Sequence, residues 1–195
     1  MRTFQIKRTT KETDIELSIN LDGKGQSNVN TGCGFFDHML TLFARHARFD
    51  LNVTCKGDTN VDYHHTVEDV GIVLGQAIKK ALGDMKGIVR YGTTILPMDE
   101  SLILTAIDIS NRSFLKIDMP IRATKIGDFP VELVEEFFLA FVRHAGITLH
   151  VVKMSGTNAH HVVEGVFKSF ARSLKTAVAI DSDFANEIPS TKGVL

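Results

Sequence analysis

The sequence predicts an α+β fold built from two tandem βββαβα halves, each a sheet packed on helices. Three observations predict it. His64-His65-Thr66-Val67-Glu68 returns 96 positions later as His160-His161-Val162-Val163-Glu164, and Phe43-Ala44-Arg45-His46-Ala47 returns 98 positions later as Phe141-Val142-Arg143-His144-Ala145. Residues 12–21 parallel residues 100–109 at an offset of 88. Strand-like and helix-like periodicities also follow one another in the same order in both halves. The change of offset from 98 to 96 marks a two-residue difference in one loop.

Residues 2–7 and 12–21 alternate polar and apolar side chains, as strands with one buried face do, and residues 27–31 offer a shorter strand. Asp22-Gly23-Lys24-Gly25 is a turn. Residues 35–47 set Phe36, Met39, Leu40 and Phe43 at helical spacing, with Asp37 in the first turn, where the helix dipole favours an anion. A strand over 51–55 follows. A helix over 64–82 then carries Val67, Val70, Ile72, Leu74 and Ile78 and stops at Gly83. The second half repeats the order: strands near 88–98, 101–109 and 114–117, a helix over 131–145, a strand over 148–153 and a helix over 160–180. Ile126-Gly127-Asp128 reads as a turn. No stretch is long enough to be a linker. The 195 residues therefore read as a single compact domain of two repeats, about 1–86 and 87–195, sharing one core.

Lys and Arg number 22 against 23 Asp and Glu, a net charge of -1 with His neutral. A general nucleic-acid or membrane-surface binder needs a basic excess, so those classes are set aside. No run approaches the roughly 18–20 apolar residues of a membrane span. The first residues lack the apolar centre of a secretory signal. Two cysteines do not make a disulfide scaffold, so a reducing, cytoplasmic setting is expected.

Eight histidines, left out of that charge sum, carry the functional signal. Residues i and i+4 share a helix face, so His64 with Glu68, and His160 with Glu164, can each chelate one ion. His65 and His161 are rotated by about 100° and face a second ion or another copy of the chain. Imidazole with carboxylate suits Mn, Fe, Zn, Co or Ni better than Mg or Ca. One such motif on an exposed helix start is weak evidence; two in register in a duplicated chain are strong. His38 opens the first long helix, and Glu136 is its counterpart at the 98 offset. His46 and His144 lie near helix ends, where capping is the plainer role. His150 is a strand residue with no assigned chemistry.

These residues resemble those of the imidazoleglycerol-phosphate dehydratases. The similar stretches are Arg8 to Thr13, Gly34 to Leu40, Asp62 to Gly71, Arg90-Tyr91-Gly92, Pro97 to Glu100, Gly146 to His150, His160 to Arg172 and Pro189 to Gly193. The resemblance implies a ribosomal-S5-domain-2-like fold and two Mn2+ per active site. It also implies sites placed between subunits of a homo-oligomer of about 24 copies. It implies one ion on His64, Glu68, Glu136 and His160, and another on His38, His65, His161 and Glu164. Many family members carry His where this chain has Glu136, and a carboxylate can still ligate manganese. A Gln common after Asp37-His38-Met39-Leu40 is Leu42 here, and the family's H-G-L-F-D has become His46-Ala47-Arg48-Phe49-Asp50.

The reaction implied is loss of water from a small phosphorylated imidazole, imidazole glycerol phosphate, in histidine biosynthesis. The carbon acid has no adjacent carbonyl, so the imidazole ring must relay the electrons. Proton transfer then falls to a carboxylate, with Glu12 the expected acid/base beside Glu68 and Glu164. Arg90, Arg112, Lys168, Ser190 and Lys192 match the family's phosphate-binding positions, and Glu12 would also touch substrate. Glu100, the duplicate of Glu12, is expected to be structural. Three other readings stay open at the level of sequence. They are a metal-storage protein glued by His–Glu pairs, a dinuclear phosphate-ester hydrolase, and an RNA-binding module.

Overall fold

The computed structural model describes residues 1–195. The first half runs β1 (Thr3–Thr9), β2 (Thr13–Asn20), β3 (Ser27–Asn30), α1 (Gly34–Ala47), β4 (Asp50–Gly57) and α2 (His64–Leu82). The second runs β5 (Tyr91–Met98), β6 (Ser101–Ile109), β7 (Phe114–Asp118), β8 (Lys125–Ile126), β9 (Phe129–Pro130), α3 (Leu133–Ala145), β10 (Ile147–Ser155) and α4 (Ala159–Val178). The two four-stranded sheets have the same topology, β1-β2-β4-β3 and β5-β6-β10-β7. In each, the third strand pairs in parallel with the fourth, and the other pairs are antiparallel.

Alternation decides which face of each sheet is covered. Ile15, Leu17 and Ile19 of β2, and Ile103, Ile107 and Ile109 of β6, point into the core. Each sheet packs on helices of its own half, and the helices meet across the halves, α1 on α4 and α2 on α3. The result is one contiguous apolar core of 48 buried residues. Its centre is aromatic. Phe170 of α4 lies 5.5 Å from Phe43 of α1 and 5.0 Å from Phe138 of α3, ring centroid to ring centroid. Close crossing of α2 and α3 depends on glycine. A Cβ at Gly75 would stand 2.6 Å from the Phe141 carbonyl oxygen, and one at Gly71 2.8 Å from that of Phe137.

Two expectations need correction, and a third is borne out and extended. The strand expected from residue 88 begins at Tyr91, because Arg90 takes a left-handed φ of 74° and Ile88 instead bridges Ile180. The last helix stops at Val178 for the same reason, since Ile180 is drawn into that bridge. The Ile126-Gly127-Asp128 turn is the tip of a short β8–β9 hairpin. That hairpin lies in a segment between β7 and α3 with no equivalent between β3 and α1. The added length carries the repeat offset from 88 up to 98.

The hairpin also positions functional side chains. Phe129 is buried against Phe35 and Phe36 at the start of α1, with ring centroids at 5.2 and 6.4 Å. The Tyr63 hydroxyl, at the start of α2, donates to Asp128 at 2.8 Å. Both helix starts are thereby tied to one structure. No helix is long and apolar enough to cross a membrane. Cys33 and Cys55 are buried free thiols, and burial pushes the Cys55 thiol up to about 11, so neither is a reactive thiolate.

Candidate metal centre and active site

The candidate ligands stand near the starts of helices, and side-chain hydrogen bonds hold the chain there. Asn158 accepts hydrogen bonds from the backbone N–H groups of His160 (2.9 Å) and His161 (3.3 Å) and so opens α4. Asp62, two residues before His64, accepts from its N–H at 2.8 Å. Asp37, in the first turn of α1, takes the backbone N–H and the hydroxyl of Thr31 at 2.8 and 2.6 Å.

Because α1 packs on α4, His38 meets the second His–Glu motif. His38, His160 and Glu164 each offer a ligand atom, all within 4.8 Å of one another. Glu164 Oε2 is 3.1 Å from His160 Nε2 and 3.5 Å from His38 Nε2. Its other oxygen is held by Lys168 one turn on. Burial pushes the Glu164 carboxyl up, but Lys168, His160 and His38 outweigh it and hold it below the usual range. The site therefore presents an ionised carboxylate between two imidazoles. Phe35 meets His160 edge-on with centroids 5.3 Å apart, which fixes one side of the ring.

The first half carries a related arrangement. His64 Nε2 is 3.5 Å from Glu68 Oε2. Glu136 holds on α3 the place that His38 holds on α1, and α3 packs on α2, which bears His64 and Glu68. Glu136 itself is half-buried and makes no ion pair.

His65 and His161 turn away from these groups, as their helical rotation requires. His65 Nδ1 lies 3.0 Å from Asp58, and its Nε2 lies 3.7 Å from Glu12. His161 Nδ1 lies 2.8 Å from Glu100, and its Nε2 lies 3.7 Å from Asp99. Each carboxylate bond raises the affinity of its imidazole for a proton, with Asp58 acting on His65 and Glu100 on His161. Glu100 also accepts the backbone N–H groups of Asn158 and Thr157 at 2.8 and 3.2 Å. With His161 as the largest influence, these contacts hold its carboxyl down to about 2. Glu12, in contrast, keeps a half-exposed carboxylate whose nearest charged neighbour is His65.

Within one chain two of the residues expected beside His38 and Glu164, His65 and His161, lie elsewhere. Within the chain His160, not His161, joins His38 and Glu164, because α4 presents residues 160 and 164 on the face toward α1 and residue 161 toward Glu100.

The expected phosphate residues fall in two places. Arg90 forks onto Asp108 at 2.7 and 3.3 Å, and Arg112 reaches the same carboxylate at 3.4 Å. Arg90 also donates to the Pro189 carbonyl at 2.8 Å, next to Ser190, whose hydroxyl accepts from the Lys192 backbone N–H at 3.2 Å. Lys168 stands apart on α4 against Glu164. Sequence reasoning missed Asp58, a lone acid in no repeated motif, and Asp108, whose counterpart in the first half is Asn20. It also missed the set in which buried Asp69 ion-pairs with Arg8 at 2.7 Å and accepts from the Thr13 hydroxyl, joining β1 and β2 to α2 one residue beyond Glu68.

Comparison with known proteins is consistent across the chain. The profile of the family described as "Imidazoleglycerol-phosphate dehydratase" matches residues 31–174. Proteins of that name from Azorhizobium caulinodans and Acetivibrio thermocellus are 60% identical over 195 residues and 56% over 194, each aligned across 100% of this chain and 99% of the relative. The crystal structure of imidazoleglycerol-phosphate dehydratase from Staphylococcus aureus superposes with a TM-score of 0.84 at 42% identity, over 92% of this chain and 99% of that one. IGPD from Pyrococcus furiosus, in complex with (S)-C348, gives 0.84 at 37% identity, over 97% and 100%.

Proposed function

The chain belongs to the imidazoleglycerol-phosphate dehydratase family and is a hydro-lyase of histidine biosynthesis, and from that premise we propose that it works with two divalent ions, manganese in the first place, between subunits of a homo-oligomer. The observation that carries the metal reading is the triad His38, His160 and Glu164. Ligands about 2.0–2.2 Å from an ion stand about 3 Å apart when adjacent. The 3.1 and 3.5 Å separations around Glu164 Oε2 are of that size. Two imidazoles with one carboxylate are also the donor set a first-row transition ion prefers.

One ion would take His38, His160 and Glu164, and the other His64, Glu68 and Glu136. His65 and His161 point away from both groups, which supports their completing sites in neighbouring copies of a closed assembly of about 24 chains. The separation of Lys168 from Arg90, Arg112, Ser190 and Lys192 supports the same arrangement, a phosphate pocket closed by two chains. The free thiols Cys33 and Cys55 fit a cytoplasmic setting.

The substrate, imidazole glycerol phosphate, loses the hydroxyl beside the ring and a proton from the next carbon, and the resulting enol becomes the ketone of imidazole acetol phosphate. When bound, two divalent cations at the ring nitrogens would lower the imidazole pKa and so supply the electron-rich ring that expels hydroxide. Glu12 moves the proton: its carboxylate is exposed, beside His65, and free of the cation contacts that occupy Glu164. Arg90 and Arg112 meet the phosphate with planar paired donors, and Lys168 and Lys192 with point charges. Incubation with Mn2+ and imidazole glycerol phosphate tests the reading. Imidazole acetol phosphate is the expected product. Free phosphate would instead indicate a hydrolase, and no product a storage role.

A further inference from the structure

Glu12 lies in the turn between β1 and β2, and its backbone is held on both sides. Its N–H donates to the Thr10 hydroxyl at 3.1 Å, and its carbonyl accepts the Asp58 N–H at 3.1 Å. The Thr10 hydroxyl also takes the Thr13 N–H at 3.0 Å. These bonds set the shape of the turn. A buried side chain ties it to α2. Asp69 stands one residue beyond Glu68, and its two oxygens divide between the two legs of the turn. Oδ1 is 2.7 Å from Arg8 Nη1 on β1, and Oδ2 accepts from the hydroxyl of Thr13, the first residue of β2. A buried carboxylate is costly unless it is paired and hydrogen-bonded, and Asp69 is both. A buried ion pair is a poor source of net stability. Directional contacts to two strands at once fix a position.

The second half lacks this clamp at every one of its positions. At the offset of 88, Arg8 becomes Leu96 and Thr13 becomes Ser101; at the offset of 96, Asp69 becomes Gly165. The two turns are in register, since Arg8 pairs with Ile15 as Leu96 pairs with Ile103. A Cβ at Gly165 would lie 2.9 Å from Ile103 Cγ1, so the second half has no room for the carboxylate. The Ser101 hydroxyl turns instead to Glu100, at 3.2 Å, and Glu100 is bound to the start of α4 through its own carboxylate. One half thus fixes its turn by occupying the glutamate. The other fixes it through Asp69 and leaves the Glu12 carboxylate available.

We propose that Asp69 is the positioning residue for Glu12, holding the β1–β2 turn at a fixed place on the helix that carries His64 and Glu68. The inference rests on the reading of Glu12 as the acid/base. Misplacing a reacting group by about 1 Å can cost about a hundredfold in rate, so a carboxylate on a turn needs such a support.

Two readouts on the assembled, Mn2+-loaded protein test it. Asp69→Asn keeps the shape and removes the charge, and Thr13→Val removes only the hydroxyl. In both, kcat should fall by about tenfold or more, with KM and the Mn2+ content per chain unchanged. Thr13→Ser, which keeps the hydroxyl, should hold kcat within about twofold of the unaltered protein. Hydrogen exchange at the Glu12 and Thr13 N–H groups should speed by about tenfold or more in the first two variants and stay unchanged along α2. Where Asp69→Asn fails to assemble, Thr13→Val carries the test. A native kcat in these variants would overturn the proposal, as would equal losses in Thr13→Ser and Thr13→Val. Loss of Mn2+ or faster exchange throughout α2 would also overturn it, by showing a general structural role. Glu12→Gln separates this inference from the reading beneath it. A native kcat there refutes Glu12 as the acid/base, whereas an inactive Glu12→Gln beside a fully active Asp69→Asn refutes Asp69 alone.

Discussion

Replacing Glu164 by Gln keeps the side-chain shape and removes one charge. In the metal-free protein it removes the charge pairing with Lys168, whose side chain is 17% exposed beside a carboxylate at 9%. Breaking a fully buried pair costs about 3–5 kcal/mol. Lys168 can swing its ammonium toward water, so about 1–3 kcal/mol is expected here. The larger effect is on metal. An amide supplies no charge between His38 and His160, and affinity at that site should fall at least a hundredfold, about 2.7 kcal/mol. Elemental analysis after equilibrium dialysis at limiting Mn2+ should then find one ion per chain in place of two. A native protein held at about 100 times its dissociation constant gains about 2.7 kcal/mol from each site. Urea melts with and without Mn2+ should show the variant losing the share that belongs to the affected site. Two ions per chain in Glu164→Gln, with a native response to Mn2+, would refute the triad as a metal site.

Phe170→Ala should cost about 3–5 kcal/mol. Since Phe170 contacts both halves, the protein should still melt in one step; two transitions would overturn the proposal that repeats 1–86 and 87–195 form one domain. Gly75→Ala should destabilise despite gaining about 1 kcal/mol of helix propensity, because the new methyl meets the Phe141 carbonyl, and a rise in melting temperature would contradict the close α2–α3 crossing. Lys192→Ala should raise KM with little change in kcat, and an unchanged KM would remove the tail from the phosphate pocket. Asp22, held below its ordinary pKa chiefly by Arg2, adds stability above the unfolded carboxyl value near pH 3.9; that contribution fades as pH falls through the lower folded value. Asp22→Asn should therefore flatten the acid limb of the stability curve, and an unaltered limb would show the pair to be inert.

Much of this was legible because the chain states its design twice. Residues 64–82 read as a helix and are one to the residue, and the strand order β1-β2-β4-β3 recurs where the repeat offsets put it. The β8–β9 hairpin was not legible beyond its turn, since two-residue strands have no period to detect. The donor residues of the site could be picked out by type and spacing. Their partition could not. Whether His160 or His161 meets His38 depends on how α1 packs on α4, and local periodicity holds no information about that crossing. Glu100 and Glu12 are equivalent in sequence and differ in surroundings: one is saturated by the start of α4, the other is left available beside His65.

That divergence has a consequence for what two joined halves can do. In a symmetric pair of separate half-chains, every residue near the twofold axis would be duplicated, and improving one side would alter the other. Covalent continuity lifts that restriction. His38 can be an imidazole while Glu136 is a carboxylate, Asp69 can anchor Arg8 where the other side has only Gly165, and Arg48 can stand where Gly146 relaxes the chain. Two donor sets of unequal charge can then stand in one chain, a difference that strict symmetry would forbid.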